Sequence, residues 1–79
     1  MVSDKLRGLI KMKGLIQTEL GQTVFGMSKA SFNNKLRTAE TRFSVSDLIK
    51  LAEATGTTLC LVDKKSGKTV IDFDVDDVA

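Results

Sequence analysis

The sequence predicts a mainly α-helical domain of four helices followed by a C-terminal β-hairpin. Three observations lead there. Apolar residues recur every three to four positions as far as residue 55, the spacing that lines one face of a helix. Beyond Gly56 the spacing drops to two, the period of a strand. Glycines, and no proline, stand where one pattern gives way to the next.

Taken in order, the first helix is expected to start at Ser3, a good N-cap residue, and to carry Leu6, Leu9, Ile10 and Lys13 on one face before stopping at Gly14. A second covers 17–25, with Leu20 and Val24 four apart. Gly26 then allows a turn that a side chain would crowd. Ser28 caps a third helix, 28–37, whose apolar positions are Phe32 and Leu36. Residues 38–43, "TAETRF", read as a connection anchored by an inward Phe43. Ser44 and Asp47 form a Ser-x-x-Asp relative of the capping box. The fourth helix then runs 45–55, burying Val45, Leu48, Ile49 and Ala52, and ends at Gly56.

"TLCLVDKKSGKTVIDFD" alternates, breaks at Lys65-Ser66-Gly67 and alternates again, as a hairpin does. A type I turn with Gly67 left-handed pairs Leu61 with Ile71 and Leu59 with Phe73, a face expected to dock on the helices. Cys60, Val62, Val70 and Asp72 fall on the other face, which is unusually apolar for a solvated surface. A two-stranded sheet is marginal alone and has open edges. A homodimer through the hairpin, with Cys60, Val62 and Val70 in its interface, is therefore expected. Residues 1–79 make a single domain on this reading: a helical part, 1–56, the hairpin, 57–74, and a frayed tail, 75–79.

Composition removes several classes of function. There is no histidine, so the commonest general base and metal ligand is absent. The lone Cys60 has no base to activate it and alternates within an apolar strand, where an inert thiol is expected. The aspartates at 72, 74, 76 and 77 lack the glycine and terminal glutamate of a calcium loop, and "KKSGK" lacks the spacing of a phosphate loop. No enzyme activity, metal, cofactor or small-molecule ligand is expected. No apolar run has membrane-spanning length, the N-terminus has no signal-peptide core, and a single cysteine suits a reducing compartment. A cytoplasmic protein with no membrane partner is the expectation.

Charge points to a partner. Residues 1–50 carry nine basic and four acidic side chains, and residues 51–79 carry three and six, so a cationic half joins an anionic one. No carboxylate occurs from 20 to 39. On a helical wheel with Phe32 at zero, Leu36 falls at about 40° and the core direction near 20°. The outer face then carries Asn34, Ala30 and Arg37, with Ser31 and Asn33 on the shoulders, Lys29 in the first turn and Lys35 on a flank. Amides can pair with adenine and arginine with guanine, while small residues let a helix approach the floor of the major groove. Two asparagines in mid-helix cost helix stability with no return visible in the sequence.

"GLIQTELGQTVFGMSKASFNNKLR" resembles the helix-turn-helix of phage repressor and Cro-like transcriptional regulators. In that family a glutamine opens the second helix, Glu-Leu-Ala follows, and a glycine, an apolar residue and a serine make the turn. Gln17, Glu19-Leu20-Gly21, Gly26, Met27 and Ser28 correspond. "FSVSDLIKLAEATGTTL" is similar to the family's next helix, with its Leu-x-x-Ala-x-x-x-Gly ending, and the resemblance covers residues 3–59. Three positions depart from the pattern: Ile16 where a Thr or Ser cap is usual, Gly21 where Ala is usual, and Phe25 as an extra residue before Gly26.

The resemblance implies a lambda repressor-like domain and a small repressor, of phage or mobile-element type, on double-stranded DNA. Lys29, Ala30, Asn33 and Asn34 fall where the family contacts bases, and Gln17 and Ser28 where it contacts phosphate. The wheel adds Ser31 and Arg37 to the base-reading set, and Lys35 is taken as a further phosphate contact. The competing expectation is a protein-interaction module, such as an antitoxin or antirepressor, built on the same fold.

Overall fold

The computed structural model of the chain describes residues 1–78. The elements are α1 (Val2–Met12), α2 (Gln17–Phe25), α3 (Lys29–Arg37), α4 (Ala39–Arg42), α5 (Val45–Thr55), β1 (Leu59–Val62), β2 (Thr69–Phe73) and a 3-10 turn, Val75–Val78. The protein is thus mainly helical with a C-terminal antiparallel hairpin. Its chain divides into two compact units, Met1–Ser44 and Val45–Ala79, and the division falls in front of the last long helix.

In the first unit the buried apolar residues are Ile10 of α1, Leu20 of α2, Phe32 and Leu36 of α3 and Ala39 of α4. α1 begins earlier than Ser3: Met1 is the N-cap, and Ser3 lies inside the first turn. The Val2 N–H donates instead to Glu40 Oε1 of α4 at 3.3 Å, so a carboxylate from elsewhere in the unit does the capping. Lys13 is the C-cap of α1 and exposed, not a member of its inner face. The end of α1 is closed by two backbone bonds, Leu15 N–H to Ile10 C=O and Gly14 N–H to Lys11 C=O.

α4 replaces the expected connection. It is only four residues long, too short to show a helical period in sequence. Continuity explains it: the N–H groups of Arg42 and Phe43 find the carbonyls of Thr38 and Ala39, while the Thr38 hydroxyl donates to Asn34 C=O at 2.9 Å. Phe43 is half-buried, as its role of anchor requires.

In the second unit α5 buries Ile49, Leu51, Ala52 and Thr55, with Leu48 half-buried. Val45 is 59% exposed, against expectation. Side chains lean toward the N-terminus of their helix, so a first-turn residue projects past the helix end rather than over its buried face. The buried Thr55 hydroxyl bonds the Leu51 carbonyl at 2.9 Å and the Ala52 carbonyl at 3.1 Å, which satisfies the one polar side chain in this core.

The hairpin has the expected pairs Leu59–Phe73 and Leu61–Ile71, with Cys60 opposite Asp72. Beyond Leu61 the register slips, and Val62 faces Thr69 rather than Val70. The loop causes this. Asp63 N–H bonds Lys68 C=O, Gly67 N–H bonds Asp63 C=O, and four residues fill the turn, so Val70 becomes the extra residue of a β-bulge. Docking is also partial. Leu59 and Phe73 at the base are half-buried, but Leu61 and Ile71 are 61% and 50% exposed. The tail does not fray through residues 75–78. Asp74 Oδ1 accepts from Asp76 N–H at 2.9 Å, Asp77 Oδ2 accepts from Asp74 N–H at 2.8 Å, and the 3-10 turn packs against α5. Ala79, the last residue of the expected tail, lies outside the described residues.

Candidate nucleic-acid interface

The geometry of α3 starts at the end of α2. Gly26 adopts φ 61°, ψ 31°, and its N–H closes on Gln22 C=O while Met27 N–H reaches Gly21 C=O. That left-handed cap costs a side-chain-bearing residue energy and glycine almost nothing, so the chain reverses within Gly26–Ser28. Ser28 is extended and its Oγ accepts from Ser31 N–H at 3.3 Å, the N-cap bond expected of it.

Phe32 and Leu36, 1% and 0% exposed, then fix how α3 is rotated. The reason it can sit so close to α2 is Gly21. A Cβ placed there would stand 2.6 Å from Phe32 Cγ and 2.8 Å from Phe32 Cβ, well inside contact distance. An alanine at this position could be fitted only if the Phe32 ring moved, so the close approach of the two helices favours glycine here. The extra residue, Phe25, is absorbed as the last residue of α2. Its ring stacks on Phe32 with centroids 5.3 Å apart and meets Phe43 edge-on at 5.9 Å.

With the helix so held, Lys29, Ala30, Ser31, Asn33, Asn34 and Arg37 are all exposed, and so is Ser28 at its head. Gln17, the first residue of α2, is half-buried behind an extended Ile16 that supplies no side-chain cap. α3 has no acidic residue in its first turn but has Lys29 there, whereas α1, α2, α4 and α5 carry Asp4, Glu19, Glu40 and Asp47 in theirs. A cation at a helix N-terminus opposes the helix dipole, so this end is more positive than helix stability favours.

Lys35 is placed differently from the rest. It is half-buried, its Nζ donates to Arg42 C=O at 3.2 Å, and the ammonium lies 5.1 Å from the Phe43 ring centroid and 5.8 Å from that of Phe25. Those contacts tie α3 to the end of α4 and cover the aromatic cluster with a charge. The two asparagines also have structural partners, contrary to expectation. Arg7 of α1 donates to Asn33 Oδ1 at 3.0 Å, and Arg37 donates to Asn34 Oδ1 at 3.2 Å. Arg7, half-buried and beside the outer face, is a member of this surface that α3 alone could not reveal.

The second unit holds the expected association residues. Cys60 is a free, half-buried thiol, and Val62 and Val70 are 54% and 70% exposed. Among the described residues no group of His, Cys, Asp or Glu could hold a metal ion, and no helix is long and apolar enough to cross a membrane. Comparison of the chain with protein-family models, with curated proteins and with solved structures finds no match in any of the three.

Proposed function

We propose that the protein is a sequence-specific DNA-binding transcriptional regulator of repressor type, with α3 entering the major groove of double-stranded DNA. One observation carries this. α3 is anchored by two fully buried side chains and turns outward a face of amides, hydroxyls, cations and one alanine, with no carboxylate from 20 to 39. Lys29, Ala30, Ser31, Asn33, Asn34 and Arg37 read base edges in this scheme, and Gln17 and Ser28 hold phosphate. The Ser28 oxygen accepts the cap bond, which leaves its O–H to donate. Lys35 is assigned to the fold rather than to phosphate, because its ammonium is already bound to a carbonyl and set over two rings.

The protein acts as a cytoplasmic homodimer in this proposal, joined through the hairpin, whose outer half exposes Leu61, Val62, Val70 and Ile71. That same surface supports the second reading, a module that grips a different protein. Selection of bound sequences from random duplex DNA, at stated salt, separates the two. Enriched inverted repeats about one helical turn apart are expected of a dimeric reader. A pool no richer than nonspecific binding would overturn the DNA-reading role and leave the interaction module.

A further inference from the structure

Resting on the DNA-reading role proposed above, we infer that α3 selects base edges rich in hydrogen-bond acceptors, guanine first, because both of its asparagine amides already face guanidinium groups. Arginine has donors only, so each Arg–Asn contact fixes the amide: oxygen toward the guanidinium, NH2 away from it. The contacts are Arg7 Nη2 to Asn33 Oδ1 at 3.0 Å, with a longer one to Asn33 C=O at 3.5 Å, and Arg37 Nη2 to Asn34 Oδ1 at 3.2 Å.

An asparagine reads adenine with both ends of its amide, the oxygen accepting from N6 and the nitrogen donating to N7. Here the adenine N6 amino group would find only the second lone pair of an oxygen that a cation already holds, which weakens it as an acceptor and sets donor beside donor. Guanine offers N7 and O6, both acceptors, and these match an outward NH2 beside a guanidinium. The rest of the face agrees. Lys29 and Arg37 donate only, and the run from 20 to 39 contains no carboxylate to accept from cytosine N4. Two arginines on different helices thereby convert a pair of ambivalent amides into a donor surface. Arg7, acting through Asn33, is a positioning residue rather than a base contact.

The test uses the full chain and the duplexes it selects. Guanine is expected at the contacted positions of each half-site. Replacing such a guanine by 7-deazaguanine, which keeps Watson–Crick pairing and removes only the N7 acceptor, should weaken binding roughly tenfold. Arg7→Ala should release the Asn33 oxygen and shift one position toward adenine, a change in preference that simple loss of stability would not produce. Should that variant fail to fold, the wild-type protein on 7-deazaguanine duplexes decides alone. Adenine at the contacted positions, or indifference to loss of N7 while specific binding persists, would overturn the inference and leave the DNA-reading role standing. No enrichment of any sequence would remove that role and the inference with it.

Discussion

α3 and the β-hairpin are both two-faced elements, and they distribute their apolar residues in opposite ways. α3 has two large apolar side chains and buries both completely, so that everything it shows is polar or small. The hairpin has no fully buried residue in either strand and leaves Leu61, Val62, Val70 and Ile71 substantially open on both of its faces. A polar face costs nothing while it waits in water. An open apolar face forgoes about 25 cal/mol for each Å² that a neighbour would cover. One surface is therefore stable in water uncovered, whereas the other gains free energy from whatever apolar surface covers it.

The largest effect expected of breaking this contrast comes from the anchor. Phe32→Ala should cost about 3–5 kcal/mol, because a fully buried ring is lost together with its stacking on Phe25. Urea unfolding measures it, and a loss under about 1 kcal/mol would mean that α3 is not held by this residue. Gly21→Ala comes next. Helix propensity favours alanine by about 1 kcal/mol, but overpacking against Cβ and Cγ of a buried phenylalanine costs about 1–3, so the net should be a loss of about 1 kcal/mol. A raised urea midpoint would show that the ring has room to give.

On the hairpin the expected pattern reverses. Val62→Lys with Val70→Lys should change the stability of the isolated chain by no more than about 0.5 kcal/mol, because both side chains are exposed. The same pair should abolish self-association in sedimentation. Wild-type protein that already sediments as a monomer at micromolar concentration would rule out self-association through the hairpin and leave that surface to a different protein.

The smallest effect concerns the turn. Asp63 Oδ1 accepts from Lys65 N–H and Ser66 N–H, both at 2.9 Å, and bonds from Ser66 and then Lys65 hold its carboxyl below the ordinary aspartate value of 3.8. A depressed acid stabilises the folded form fully above its unfolded value and loses that contribution as pH falls through its folded one. Loop amide resonances should therefore shift below about pH 4 in wild-type protein. In Asp63→Ala that step should be missing.

How much of this was legible in the sequence differs between the two regions for a physical reason. The exposed face of α3 followed from two residues, because Phe32 and Leu36 four apart leave a helix one way to lie. The left-handed glycines after α1, α2 and α5 marked the helix ends equally plainly. Contacts between distant segments were not legible. Arg7 lies 26 residues from Asn33, and nothing in either local pattern announces the pair. The same is true of Glu40 at the start of α1 and of the Phe32 ring against Gly21. In the hairpin the alternation predicted the pairs nearest the base, but turn length sets the register beyond them. One residue more in the loop moved Val70 out of the ladder.

That displaced valine has a consequence for how the protein could assemble. A bulge breaks the even row of donors and acceptors along β2, so its outer edge is a poor template for another strand, while β1 has none. A sheet with a single serviceable edge can be extended only once. If the added strand belongs to another copy, edge meets like edge about a two-fold axis and nothing remains to propagate. The irregularity at Val70 is in this sense a stop signal: past it, β2 offers no even edge on which a further strand could be laid.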